Sequence, residues 1–139
     1  MNHKEKTSCG DTMHNKTFGS IGEEKACEYL SQLGYEIIDR NFETSCGELD
    51  IVALDGEMLV FAEVKTRKNK RYGRAALSVT KNKLRHIALS AGIYIKAKPE
   101  HKRRCCRIDV LEVYPGSDFF EGDKTEIVHL KNVHMEGVA

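Results

Sequence analysis

Gly47 to Lys65 reads GELDIVALDGEMLVFAEVK, two apolar runs hinged on Asp55-Gly56. Asp-Gly flanked by such runs is a strong short-range hairpin signal, and it predicts strands over 49–54 and 58–65 joined by a type I′ turn. With Asp55 and Gly56 as the turn residues, Leu54 falls opposite Glu57, Asp50 opposite Phe61 and Glu48 opposite Glu63. Side chains alternate along a strand, so Glu48, Asp50, Glu63 and Lys65 share one sheet face. Asp50 and Glu63 become diagonal neighbours. The second strand is otherwise apolar on both faces, with Met58, Val60, Ala62 and Val64 on one and Leu59 and Phe61 on the other, as an interior strand requires.

Two carboxylates at the end of a buried strand need an explanation. An unpaired buried carboxylate is costly, and two side by side repel, so positive charge has to sit between them. Lys65 supplies one unit; a divalent cation supplies two. Mg²⁺ or Mn²⁺ suits carboxylate, water and phosphate oxygens, polarises a phosphoryl oxygen and acidifies a bound water. Lys65, two residues past Glu63, projects the same way and can hold an attacking water or stabilise phosphorane charge. Asp followed by Glu-x-Lys on the adjacent strand is therefore a coherent phosphodiesterase set. Glu-x-Lys alone is a weak signal, because alternating charge on a solvated strand is common. Its coupling to Asp50 through a defined hairpin is what gives it weight.

The surrounding chain supplies helices for this hairpin. A first helix runs over 17–33, with Thr17 or Ser20 as N-cap, Gly34 past its end and Ile21, Ala26, Tyr29, Leu30 and Leu33 as its apolar stripe. A short strand follows over 35–42, then a polar loop, ETSCG. After the hairpin a basic loop runs over 66–74, and Ser78 or Thr80 opens a second helix carrying Leu84, Ile87, Ala88, Ala91 and Ile95 at helical spacing. That helix ends before Pro99. Strands follow over 107–113 (RIDVLEV) and, as an edge, 126–133. The order α-β-β-β-α-β predicts an α/β domain with a mixed sheet flanked by helices.

On the first helix, Glu23 lies in phase with Leu30, whereas Glu24 lies with Glu28 and Ser31 on the wet side. Glu23 is thus the candidate third carboxylate, against the plainer reading of a helix-N-terminal acid complementing the macrodipole.

The formal net charge of +1 conceals a segregation. Residues 1–64 carry five Lys/Arg against thirteen Asp/Glu, 65–107 carry fifteen against one, and 108–139 carry two against seven. A basic block of this density suits a polyanion, although a solvated helix and loops could carry it too. Arg67, Lys68, Lys70, Arg71 and Arg74 after the hairpin, and Lys81, Lys83 and Arg85 on the second helix, are the expected phosphate contacts. Only Tyr72 is interleaved among them, which argues for backbone contact over base stacking.

Other chemistries are excluded by pattern. There is no P-loop and no G-x-G-x-x-G after a strand. The six histidines show no paired ligand spacing. The five cysteines, Cys9, Cys27, Cys46, Cys105 and Cys106, are odd in number and lack CxxC, so reduced thiols in the cytoplasm fit better than a disulfide framework or zinc ribbon. Cys46, beside the carboxylates, reads first as a small hydrophobe. No apolar run reaches the roughly 18–20 residues a membrane span needs, and residues 1–16 lack the apolar segment of a secretory signal. With 139 residues there is room for one core; 1–16 read as a disordered polar tail and 17–139 as one domain.

Gly19-x-x-Gly22-Glu23-x-x-Ala26, Arg40-Asn41, Gly47-Glu48-Leu49-Asp50-Ile51-Val52-Ala53, Val60-Phe61-x-Glu63-Val64-Lys65-Thr66-Arg67, Val79-Thr80-x-x-Lys83 and Arg107-Ile108-Asp109-Val110 appear in that order. The set resembles the YraN family of predicted endonucleases, with a restriction-endonuclease-like fold similar to archaeal Holliday-junction resolvases. The resemblance covers roughly 17–133. It implies a nuclease core with Asp50, Glu63 and Lys65 as a PD-(D/E)xK site and Glu23 as the helix acid near the metal. Leu49 stands before Asp50 where that motif's name has Pro.

Two functions follow. One is a Mg²⁺- or Mn²⁺-dependent endonuclease hydrolysing phosphodiester bonds of DNA, branched or junction DNA included. The other is a nucleic-acid-binding protein that keeps the fold without cleaving, or a nuclease acting on RNA. A like-charge carboxylate pair serves no purpose in a pure binder and favours the first. A homodimer is compatible with either.

Overall fold

The computed structural model describes residues 17–68, 79–116 and 124–134. The expected tail over 1–16 and the basic-loop residues Lys70, Arg71 and Arg74 lie outside the described residues, as does Ser78.

The described elements are α1 (Phe18–Gln32), β1 (Glu36–Thr44), β2 (Gly47–Asp55), β3 (Met58–Thr66), α2 (Lys81–Ala97), a short 3₁₀ turn (Pro99–His101), β4 (Cys106–Tyr114) and β5 (Glu126–Leu130). The strands form one sheet in the order β1-β2-β3-β4-β5. β3 and β4 are parallel and the other neighbours antiparallel. Parallel neighbours need a long crossover, and α2 lies within it. The sheet is therefore mixed, with the predicted order α-β-β-β-α-β plus the edge strand.

Local chemistry accounts for the boundaries. Thr17 caps α1: its Oγ1 accepts the Ser20 N–H at 3.1 Å while the Ser20 Oγ accepts the Thr17 N–H at 2.9 Å, a reciprocal capping box. Gly34 follows at φ +97, where a side chain would be strained. Thr80 caps α2 by accepting the Lys83 N–H at 3.0 Å. β1 runs two residues further than its predicted end, because Glu43 and Thr44 pair with Glu48 and Gly47; the expected polar loop is a tight turn. The edge strand stops at Leu130, and Asn132 adopts φ +56 beyond it.

α1 covers one face of the sheet, packing Ala26 and Leu30 on Ile51, Ala53, Val60, Ala62, Val64, Leu111 and Val113. α2 covers the other, packing Leu84, Ile87 and Tyr94 on Val52, Leu59, Phe61 and Val110. β3 is buried on both faces, as its apolar sequence predicts.

The hairpin register differs from the expected one by two residues. Ile51 pairs with Ala62 and Asp55 with Met58, so the turn residues are Gly56 and Glu57. Gly56 carries a positive φ of +65 and Glu57 does not, as in a type II′ turn and not the type I′ expected from Asp-Gly. A shift of two leaves every side chain on its predicted face. The partners change, however. Asp50 falls opposite Glu63 and not Phe61, and Glu48 pairs with Glu43 on β1 instead of facing Glu63.

Candidate phosphodiesterase site

The site forms where β2 and β3 part. Their ladder ends at Ile51–Ala62. One step on, the Asp50 carboxylate itself accepts the Val64 N–H at 2.9 Å, replacing the backbone partner that the diverging strand withdraws. Opposite it stands Glu63, only 4% exposed. Burial pushes the Asp50 carboxyl up to about 7, and the Glu63 and Glu23 charges push the same way, against the Val64 N–H and Lys83. The repulsion inferred from sequence thus has a direct electrostatic signature.

Two ammonium groups answer Glu63. Lys65 Nζ lies 3.7 Å and Lys83 Nζ 3.6 Å from the same atom, Glu63 Oε2. Lys65 comes from the strand, two residues on. Lys83 comes from the first turn of α2, where a cation opposes the helix dipole; its pairing with a buried carboxylate offsets that. Sequence patterning assigned Lys83 to the phosphate path, and the structure brings it to the carboxylate site. The Thr80-x-x-Lys83 spacing was the available signal, since it fixes Lys83 in the capped first turn.

Glu23 reaches the same region from the opposite layer. Gly22 packs so tightly on Thr66, at the end of β3, that an added Cβ would fall 1.9 Å from Thr66 Oγ1. The adjacent Glu23 accepts a hydrogen bond from Asn41 Nδ2 at 3.0 Å, and its charge is felt at both Asp50 and Glu48. Glu48, on the rim, has its carboxyl raised by burial first and then by Glu23, Glu43 and Glu63, opposed by Lys83. It is the acid that sequence reasoning placed on the right face without assigning a role.

Among the described residues, no three His, Cys, Asp or Glu side chains gather into a metal-holding group of their own. The donor set present is two carboxylates with a third acid acting through space. That fits an ion that binds few protein oxygens and takes the rest from water and substrate, as Mg²⁺ does, and does not fit zinc, which prefers nitrogen and sulfur.

The expected nucleic-acid contacts divide. Arg67 is anchored, its Nε 2.9 Å from Oε2 of the buried Glu112. Lys68, Lys81 and Arg85 are exposed. Arg85 bonds Asn82 Oδ1 at 3.3 Å. Cys46 lies in the β1–β2 turn, its N–H donated to Thr44 Oγ1 at 3.0 Å, and is a free thiol like Cys27, Cys105 and Cys106.

The model of the family described as "Uncharacterised protein family UPF0102" matches residues 22–113. The chain belongs to this family. UPF0102 relatives include a protein of Geobacter metallireducens, 41% identical over 121 residues, 87% of this chain and 94% of the relative. Another, from Symbiobacterium thermophilum, is 44% identical over 104 residues, 75% and 87% of the two chains. A third, from Rhodococcus opacus, is 40% identical over 119 residues, 86% and 97%. Glu23, Asp50, Glu63, Lys65 and Lys83 all lie inside the stretch matched by the UPF0102 model.

Proposed function

We propose that the chain is a metal-dependent endonuclease that hydrolyses phosphodiester bonds of DNA. The observation that carries this reading is the Asp50–Glu63 pair, two carboxylates held together at the end of a buried strand with Asp50 at about 7. A fold that only bound nucleic acid would gain from replacing either by a neutral residue. Asp50 and Glu63 would hold Mg²⁺ or Mn²⁺, with Glu23 adding negative charge from α1. Such an ion, when bound, supplies Lewis-acid polarisation of a phosphoryl oxygen.

The chain's own groups do the rest. Lys65 stands on the site face of β3, its ammonium 3.7 Å from Glu63, where it would orient a nucleophilic water or stabilise the charge building on the phosphoryl oxygens. Lys83 neutralises Glu63 in the free protein and becomes available to substrate phosphate once Glu63 is otherwise engaged. Lys68, Lys81 and Arg85 are exposed and, with Arg67, suit the phosphate backbone, which is read without base specificity. Branched or junction DNA is the substrate form to which the family resemblance points, and the cytoplasm the compartment that reduced thiols suit.

One observation favours a second reading. Lys65 and Lys83 already satisfy Glu63, as they would in a non-catalytic binding protein whose carboxylates are merely structural. A cleavage panel separates the two: duplex, fork, flap, four-way junction, single-stranded DNA and RNA, each with Mg²⁺ and with Mn²⁺. Metal-dependent cleavage of a DNA member supports the nuclease. Cleavage of RNA alone reassigns the substrate, and binding without cleavage throughout supports the second reading. Among the described residues no helix is long and apolar enough to cross a membrane.

A further inference from the structure

Helix α2 has no acidic residue anywhere in KNKLRHIALSAGIYIKA. Lys81, Arg85, Leu89, Gly92 and Lys96 are spaced by four, four, three and four, which places them on one stripe, and all five are exposed. The stripe is cationic at both ends. Its first end, Lys81 and Arg85, flanks Lys83 in the chain but faces away from Glu63, on the exposed side of the helix. Its second end runs into the 3₁₀ turn, where Lys98, Lys102, Arg103 and Arg104 follow Lys96 within eight residues.

This far cluster has no part in the carboxylate site. Arg104 is fixed there, donating to the Glu57 carbonyl and carboxylate at 3.2 Å each and to His101 Nδ1 at 3.0 Å. None of Lys96, Lys98, Lys102 and Arg103 forms an ion pair with another described residue. Glu57 and Glu100 border the same cleft as Arg103 and Arg104, while Lys96, Lys98 and Lys102 lie outside that lining and add three cations to the surrounding segment. Lys96, Lys102 and Arg103 are exposed and so are open to an anion from solvent.

The spacing says which anion. At 1.5 Å per residue, the 17-residue α2 separates the two clusters by about 25 Å. That is the rise of about seven base pairs at 3.4 Å per step. Lys81, Arg85 and Lys96 share one helix, and Lys102 and Arg103 follow the 3₁₀ turn at its end, so the two clusters suit a stiff polyanion whose phosphates recur at fixed distances. A duplex, with a persistence length of about 150 base pairs, is one; a single strand would have to be ordered first. We infer that the Lys96–Arg103 cluster is a second phosphate-binding surface that grips duplex backbone about seven base pairs from the contact made by Lys81 and Arg85. This rests on the nucleic-acid reading of the site and extends it to the substrate class.

The test compares the full chain with its Lys96→Ala/Lys102→Ala/Arg103→Ala variant, in EDTA, by fluorescence anisotropy between about 50 and 200 mM salt. The probes are a duplex and a single strand of equal length. The variant should bind duplex at least about tenfold more weakly, with the log–log salt slope smaller by about two to three, since each lost phosphate contact removes about 0.9. Its binding to the single strand should change by less than about threefold, because a flexible strand is not held against both clusters at once. Unchanged duplex affinity and slope, with wild type binding normally, would overturn the second surface and leave the site reading standing. Equal losses on duplex and single strand would overturn the duplex assignment. Failure of wild type to bind either polymer would remove both readings.

Discussion

Lys83 Nζ and Glu63 Oε2 stand 3.6 Å apart across the gap between α2 and β3, joining the capped first turn of one helix to the most buried acid of the site. Lys65 shares that oxygen at 3.7 Å. Both ammonium groups keep some contact with water, so the pairing with each is worth much less than a fully buried ion pair. Lys83→Met should lower stability by on the order of 1 kcal/mol in EDTA, read from urea denaturation. The loss should shrink when Mn²⁺ is added, because the ion takes over the charge that Lys83 balanced. A loss unchanged by metal would place the ion elsewhere.

Divalent metal should raise stability in proportion to its saturation, by about 2.7 kcal/mol at a hundred times its dissociation constant. Asp50→Asn and Glu63→Gln should each lose most of that increment in thermal denaturation with and without Mn²⁺. Equal stabilisation of wild type and both variants would detach the ion from these carboxylates.

The pH dependence follows from Asp50. Burial and the Glu63 charge raise its carboxyl to about 7, above the ordinary value near 4 that it regains on unfolding. The folded state therefore binds more protons between those values, and stability falls as pH rises from about 4 to about 7. Metal-free wild type should lose on the order of 1–3 kcal/mol across that window through this group, a discount on the full shift because Asp50 is only partly buried. Asp50→Asn keeps an acceptor for the Val64 N–H and should flatten that part of the profile, becoming more stable than wild type at pH 8. Urea denaturation at pH 5 and pH 8 in EDTA checks the sign.

Much of this site was legible because strand periodicity is forgiving. The expected hairpin was two residues out of register, yet a slip of two keeps Asp50, Glu63 and Lys65 on one face. What sequence could not decide was which residues turn, since that depended on Gly56 taking the positive φ at the first central position. The approach of Lys83 to Glu63 depends on how α2 packs over β3, a tertiary matter. The Asp109 network was equally hidden. Fully buried, Asp109 would have its carboxyl raised by burial alone, but hydrogen bonds from His129, Arg107 and the Asn132 N–H hold it below the ordinary value. From sequence it was one residue of a strand, because none of its partners except Arg107 is near it in the chain.

Gly22 ties the α1 layer to the end of β3. A Cβ there would lie 1.9 Å from Thr66 Oγ1 and 2.8 Å from Thr66 Cβ, so Gly22→Ala forces helix and strand apart. Overpacking of this kind costs about 1–3 kcal/mol. Thr66→Ala should recover part of the loss in a double-mutant cycle, since it removes the nearest atom but not the Cβ. Full additivity would mean that the two residues do not meet.

In the proposed nuclease, Lys65 acts in phosphodiester hydrolysis and does not merely neutralise Glu63. The most direct measurement is the single-turnover cleavage rate of Lys65→Met against wild type, with Mn²⁺, on the best DNA substrate, at protein concentrations that saturate it. Loss of one preorganised charge-stabilising group costs about 10²–10³ in rate. The variant should fold, keep DNA affinity and metal-induced stabilisation close to those of wild type, and cleave more slowly by about a hundredfold or more. Cleavage by Lys65→Met at the wild-type rate would contradict it.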